Sequence, residues 1–262
     1  MANIDDNGFY IIGGNRSDYM KYYVQYYDIN ANRWSLKKNM NTARCSMASS
    51  TVNKIIYCIG GGTTTSNQVN TNQAYDPILD TWTNKTAIPK NTASARAVTI
   101  GTDIYVIGGY NNSESRLSIN YCYDSLSNTW STKTNIPTAT SSQLLAAVGN
   151  GIYSISGVSS EKNYYYDIML NTWISKTNIP TFRWGAVGGY INGKIYVAGG
   201  YGSSHHSVNE CYDIASDTWG TKSSKLDSGT ATGKVIDNKI FSFNGWVTMN
   251  GTYTSKLEVY IP

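Results

Sequence analysis

Residues 104–109 read Ile-Tyr-Val-Ile-Gly-Gly, a short apolar run that ends in two glycines. The pattern recurs at five more places, the last two of them in weaker form: residues 9–14, 56–61, 195–200, 152–157 and 240–245. A run of β-branched and aromatic residues that stops at glycine predicts a β-strand followed by a turn. The second glycine of the pair recurs every 43–48 residues, so we infer six copies of one structural unit.

Two further marks follow the glycines in each of the first five copies. The first is Tyr-Asp, which ends at Asp28, Asp76, Asp124, Asp167 and Asp213. The second is a tryptophan followed three residues later by lysine, at Trp34, Trp82, Trp130, Trp173 and Trp219. An aspartate can accept hydrogen bonds from the amides of the following turn, and a tryptophan ring can fill the space between neighbouring units. We therefore interpret these repeated residues as structural.

This order of marks resembles the kelch repeat, in which diglycine, Tyr-Asp and Trp mark successive strands of one propeller blade. Residues 171–183, Asn-Thr-Trp-Ile-Ser-Lys-Thr-Asn-Ile-Pro-Thr-Phe-Arg, are similar to bacterial kelch repeats. The resemblance implies an all-β kelch-type β-propeller, one domain over residues 1–262, with four antiparallel strands in each full blade. Blades are expected to start near residues 9, 55, 104, 152, 195 and 240. Because the diglycine strand is apolar at nearly every position, we expect it to be the innermost.

The sixth copy is incomplete, because it lacks the tryptophan mark. We expect two strands there, near residues 239–244 and 256–260, together with a stub from residues 1–5. An open strand edge in this blade would invite pairing with another chain.

Composition and charge exclude several classes of protein. The net charge is only +4, and the lysines and arginines are dispersed, which does not favour a nucleic-acid partner. No apolar run is long enough to span a membrane, and no signal peptide is visible in the first residues. We expect a cytoplasmic protein, with a fragment of a secreted protein as the alternative. The four cysteines show no metal-binding spacing, and we expect Cys122 and Cys211 to be reduced and buried.

An enzyme is the less favoured interpretation. Galactose oxidase and sialic-acid mutarotases resemble this fold, but the only histidines here are the adjacent His205 and His206. Neighbouring residues of one loop rarely converge on a metal ion, and no paired carboxylates point to proton transfer. We therefore expect no catalytic residue, no metal and no cofactor. The alternative is a carbohydrate-active enzyme of the kelch class, either a sugar epimerase or an oxidase.

The resemblance implies a binding module for a protein, a peptide or a glycan. In substrate-adaptor kelch proteins, the ligand face is formed after the diglycine, in the next loop and near the start of the strand that precedes the next diglycine. The corresponding residues, expected to line one mouth of a central channel, are Arg16, Arg44, Tyr110, Arg116, Arg183, Trp184, Tyr201 and Trp246. Arginines can bind a carboxylate with two parallel hydrogen bonds, and tyrosine and tryptophan offer rigid contact surfaces. This set suits an acidic peptide or a sugar.

Overall fold

A computed structural model describes residues 2–5, 7–16, 19–64, 66–158, 160–224, 229–244 and 257–262. These residues form strands, turns and isolated bridges, and there is no helix among them. The chain divides into two compact units, Met1–Ser141 and Ser142–Pro262. Each unit contains three blade-type sheets, here called blades 1–3 and blades 4–6 in chain order.

The first unit contains three four-stranded antiparallel sheets. Blade 1 is formed by β1 (Ala2–Asp5), β2 (Gly8–Ile12), β5 (Val24–Asp28) and β6 (Arg33–Lys37). Blade 2 is formed by β7 (Ala48–Val52), β8 (Ile55–Ile59), β9 (Asn72–Asp76) and β10 (Thr81–Lys85). Blade 3 is formed by β11 (Arg96–Ile100), β12 (Asp103–Ile107), β15 (Asn120–Asp124) and β16 (Thr129–Thr132). Two short hairpins follow the diglycines, namely β3 (Asn15–Arg16) with β4 (Tyr19–Met20), and β13 (Tyr110–Asn111) with β14 (Ser115–Arg116).

The second unit contains two four-stranded sheets and one three-stranded sheet. Blade 4 is formed by β17 (Leu144–Val148), β18 (Gly151–Ile155), β19 (Asn163–Asp167) and β20 (Thr172–Lys176). Blade 5 is formed by β21 (Val187–Ile191), β22 (Lys194–Ala198), β23 (Asn209–Asp213) and β24 (Thr218–Lys222). Blade 6 is formed by β25 (Ala231–Ile236), β26 (Lys239–Asn244) and β27 (Leu257–Tyr260).

These sheets confirm the predicted all-β, six-blade propeller with an incomplete sixth blade. The grouping of strands differs from the prediction, because each blade begins one strand before the diglycine strand. Ala2–Asp5 therefore pairs within blade 1, and blade 6 has three strands rather than two and a stub.

The expected position of the diglycine strand was wrong. It is the second strand of each sheet, and the strand before it stands at the edge. Those edge strands touch their counterparts in neighbouring blades, since β7 contacts β1 and β11, and β21 contacts β17 and β25. Neighbouring blades of a unit therefore converge on the first strand of each sheet. The diglycine strand is apolar because it is covered on both faces, not because it is innermost.

The repeated Tyr-Asp and Trp residues have the structural roles expected from the sequence. In blade 2, Asp76 Oδ1 accepts hydrogen bonds from the amides of Ile78 and Leu79, which closes the turn before β10. The Trp82 ring packs on Tyr75 with centroids 5.0 Å apart, and its Nε1 donates to the Lys38 carbonyl of the preceding segment. Tryptophan thus joins neighbouring blades as well as filling space.

The first glycine of the pair is needed because another segment passes very close to it. Gly60 has φ +64°, and a Cβ placed there would lie 2.3 Å from the Thr92 carbonyl oxygen. Blade 4 has Ser156 at this position, also in the left-handed region at φ 57°. The Ser156 hydroxyl donates to the Arg183 carbonyl oxygen, and this hydrogen bond offsets the strain that a side chain causes in the left-handed region.

All four cysteines are free thiols, and Cys122 and Cys211 are buried, as predicted. Burial raises the pKa of both thiols.

Candidate functional site

Backbone bridges place the residue after the diglycine beside the segment that leads into the blade. Trp184 and Tyr201 exchange two amide-to-carbonyl hydrogen bonds of 2.8 and 2.9 Å. Ala93 and Tyr110 do the same in blade 3, at 2.9 and 2.7 Å. In an antiparallel sheet, the end of the second strand and the start of the first strand lie at the same end of the sheet. The sequence correctly predicted this adjacency for Trp184 and Tyr201.

The side chains at the blade 5 bridge form what we call the blade 5 aromatic cluster: Trp184, Tyr201 and His205. The ring centroids of Trp184 and Tyr201 are 5.3 Å apart, and those of Tyr201 and His205 are 5.0 Å apart and nearly perpendicular. All three residues are half-buried, so part of each side chain remains accessible. A bridge between Tyr201 and His205, and a 2.9 Å bond from the His206 amide to the Gly200 carbonyl, fold the loop back on itself. The cluster is therefore held in one geometry before any ligand arrives.

Tyr110 and Arg116 also lie together, in blade 3. They are direct partners in the β13–β14 hairpin. Tyr110 is 36% exposed, and its hydroxyl donates to Asn112 Oδ1 at 2.8 Å. The Asn112 side chain in turn donates to the Ser66 carbonyl of blade 2 at 2.6 Å, which ties the hairpin to the neighbouring loop.

Arg44 and Arg183 were predicted at the ligand face, but both side chains are buried, at 0% and 1% exposure. Arg44 donates to the carbonyl oxygens of Gly60 and Thr71 and to Gln73 Oε1. These bonds anchor the guanidinium inside the blade, and the geometry therefore disfavours direct contact with a surface ligand.

Arg183 is anchored in the same way, inside blade 5. Its guanidinium forms an ion pair with Glu210 and donates to the Thr181 and Val197 carbonyl oxygens. Thr181 Oγ1 also donates to Glu210, at 2.9 Å. The pair thus fixes the segment 181–184 that carries Trp184.

Of the other two predicted residues, Arg16 lies in β3, and its backbone pairs with Tyr19. Trp246 lies outside the described residues. The structure brings together Trp184 with Tyr201 in one unit and Tyr110 with Arg116 in the other. The predicted sharing of one channel mouth by all eight residues stays a prediction.

A family model for the Kelch motif matches residues 43–86, 92–136 and 185–220. These segments coincide with blades 2, 3 and 5, from the linker before the first strand to the tryptophan strand. Blades 2, 3 and 5 of this chain are therefore kelch repeats. Comparison with curated proteins gives no match.

The described residues contain no helix that is both long and apolar enough to cross a membrane. They also contain no group of three or more His, Cys, Asp or Glu side chains placed to hold a metal ion.

The kelch repeats of blades 2 and 5 contain two residues that the sequence interpretation missed, Gln73 and Glu210. Each is the second residue of the strand that ends in Tyr-Asp, and each binds the buried arginine of its own blade. The signal was present in the sequence. The two copies with arginine have glutamine or glutamate at this place, whereas the copies with Thr92 and Thr140 in the arginine position have tyrosine.

His206 follows His205 of the blade 5 aromatic cluster and lies within electrostatic reach of the buried Arg183–Glu210 pair. Burial holds the pKa of His206 below its usual value of 6.5, and the positive charge of Arg183 lowers it further, against the opposing effect of Glu210. His206 is therefore mainly neutral at physiological pH.

Proposed function

We propose that this kelch-repeat chain is a binding module, and that its ligand is a glycan that stacks on the blade 5 aromatic cluster. The observation that supports this function is the half-buried ring set of Trp184, Tyr201 and His205, fixed by backbone bridges. Rings of this kind combine an apolar face with a polar edge. A sugar offers the complement, because its C–H groups can lie on the ring face while its hydroxyls meet polar edges.

A glycan is favoured over an acidic peptide because the predicted arginines are engaged. Arg44 and Arg183 are buried and hydrogen-bonded, so they do not present a charged fork to a carboxylate at this surface. The hydroxyls of the neighbouring Ser203 and Ser204 are on exposed residues, which suits a neutral polyhydroxy ligand. A protein or peptide ligand is the second candidate, supported by the exposed Phe182 beside Trp184.

A glycan and peptide array, followed by calorimetry on the strongest neutral glycan, tests the proposal. Trp184→Ala and Tyr201→Ala should each weaken binding at least about tenfold, or ~1.4 kcal/mol, because each removes one stacking ring. Tyr190→Ala is the matched control: Tyr190 is 41% exposed in the same blade but outside the cluster, and its loss should leave affinity unchanged.

Equal losses of glycan affinity in all three variants, or binding to peptides alone on the array, would contradict the glycan proposal. The absence of catalysis, the absence of nucleic-acid and membrane partners, the cytoplasmic location and pairing at an open edge of blade 6 stay predictions from the sequence.

A further inference from the structure

Arg44 is a buried cation without a counter-ion. Its side chain is 0% exposed, and its hydrogen bonds go to neutral oxygens of Gly60, Thr71 and Gln73, at 2.6, 3.2 and 2.7 Å. Among the described residues, no carboxylate pairs with it. Burying an unpaired charge is costly, even when carbonyl dipoles solvate it. Arg44 therefore leaves a net positive field inside blade 2.

Arg183 shows that an arginine at this position of the repeat can have a counter-ion. The two arginines take the same place in their blades, seventeen residues before the second glycine. In blade 5 the glutamate at strand position two neutralises the arginine, but in blade 2 that position is Gln73. The charge is balanced internally in one blade and not in the other.

A polar depression of about 340 Å³ opens next to Arg44. Its lining consists of Asn41, Thr42, Asn70, Thr71, Asn72, Gln73, Asn84, Lys85 and Ala87. Two of these, Thr71 and Gln73, are the residues whose oxygens bind the buried guanidinium. Lys85 adds a second cation, and it forms no ion pair with any residue that the structure describes. No aspartate or glutamate belongs to the described lining.

The amides carry the positive field of Arg44 toward this lining. Gln73 accepts from Arg44 through Oε1 and donates through Nε2 to Asn84 Oδ1, at 3.0 Å. Consecutive bonds of this kind polarise one another, so the Asn84 amide is oriented by the buried charge. The remaining hydrogen-bonding capacity of Asn84 and the ammonium group of Lys85 are then available to an anion in the depression.

We propose that this depression binds the carboxylate of an acidic sugar. The positive groups select a carboxylate, and the rest of the lining selects a ligand rich in hydroxyls, since it is formed by amides and threonines with Ala87 as its one apolar residue. An acidic peptide side chain would place its methylene groups against polar surface instead. This site lies in the first unit and is independent of the blade 5 aromatic cluster.

Calorimetric titration with D-glucuronate, and with D-glucose as the neutral arm, tests the proposal. Glucuronate should bind saturably and glucose should not. Gln73→Glu gives Arg44 the counter-ion that Glu210 gives Arg183, and it should weaken glucuronate binding about tenfold or more, since an anion then meets a neutralised site. Lys85→Gln should weaken it by a similar factor, because a charged hydrogen bond is lost.

Lys176→Gln is the matched control. Lys176 ends β20 as Lys85 ends β10, so the variant loses the same charge from a blade with threonine in the arginine position. It should bind glucuronate like the original protein. Melting temperatures of all variants should stay unchanged or, for Gln73→Glu, rise.

Three results would overturn the proposal: no saturable glucuronate binding, equal loss in Lys85→Gln and Lys176→Gln, or undiminished binding in a folded Gln73→Glu variant. Tighter binding of N-acetylglutamate amide than of glucuronate would overturn the assignment to a sugar. Because Trp184 and Tyr201 belong to the other unit, their variants should not change this titration.

Discussion

Blades 2 and 5 have the same arginine in the same position and treat its charge in opposite ways. In blade 5, burial lowers the pKa of Arg183, and the paired carboxylate of Glu210 opposes this lowering. In blade 2, Gln73 gives Arg44 only a neutral acceptor, and burial lowers the arginine pKa without a carboxylate to oppose it. The choice of an amide or a carboxylate at this strand position thus decides whether the arginine charge is neutralised inside the blade or can attract an anion.

The largest effect on stability is expected when the side chains that bind the two arginines, Glu210 and Gln73, are removed. Glu210→Ala should lower the free energy of unfolding by about 3–5 kcal/mol, because it leaves Arg183 buried and unpaired. Gln73→Ala should cost less, about 1–3 kcal/mol, since only a hydrogen-bonded neutral acceptor is lost. Urea unfolding of both variants checks the order. If Gln73→Ala were the more costly, blade 2 would be the one that depends on its partner, and the comparison would be wrong.

A smaller effect on stability is expected at a hydrogen bond that the backbone of Arg183 accepts and that of Arg44 lacks. The Ser156 hydroxyl of blade 4 donates to the Arg183 carbonyl oxygen. The corresponding residue before Arg44 is Gly13 of blade 1, which has no hydroxyl, and there the Gly14 amide binds the Arg44 carbonyl oxygen. Ser156→Ala should lower the free energy of unfolding by about 1–2 kcal/mol, because it keeps the left-handed backbone and loses the bond.

Ser156→Gly is the control for backbone strain, and it should cost less than Ser156→Ala because glycine adopts this φ freely. Thermal unfolding of both variants measures the difference. A more stable alanine variant would show that the hydroxyl does not hold the arginine segment.

The smallest effect should be the same in blades 2 and 5. Asp80 accepts from the Tyr75 hydroxyl and the Lys38 amide, and Asp217 accepts from the Tyr212 hydroxyl and the Thr177 amide. The tyrosine hydrogen bond, followed by the amide, holds the pKa of each carboxyl below its ordinary value of 3.8. A lowered folded-state pKa gives stability that is complete above the unfolded-state pKa and lost as pH falls through the folded-state value. Unfolding in urea should therefore become easier below about pH 4.

Asp80→Asn and Asp217→Asn should each remove part of this acid dependence with little change at pH 7. Blades 3 and 4 already show the neutral version, because Asn128 and Asn171 accept from Tyr123 and Tyr166 in the same position. Urea curves at pH 7 and pH 3 test the prediction. An unchanged acid dependence in the double variant would place its origin elsewhere in the chain.

Much of this architecture could be predicted from the sequence, because glycine pairs, Tyr-Asp and Trp each meet a local steric or hydrogen-bonding need that repeats. The order of strands could not, since an apolar strand covered by two neighbours has the same composition as one on the inside. Trp184 and Tyr201 were placed together correctly, because antiparallel pairing fixes which residues meet at an edge. Arg44 and Arg183 were placed at the right edge but in the wrong environment. Whether a long side chain turns inward depends on a partner about 30 residues away, such as Gln73 or Glu210.

The hydrogen bonds between neighbouring blades have a consequence for synthesis on the ribosome. The carbonyls of Lys38, Thr86 and Thr177 receive their tryptophan Nε1 donors from 42–44 residues downstream. As the chain leaves the ribosome, the linker after each of these blades therefore lacks its tryptophan hydrogen bond until the last strand of the next blade has emerged. Each of blades 2, 3 and 5 locks its predecessor when it is complete, so the nascent protein should become protected from proteases in steps, with a lag of about one repeat.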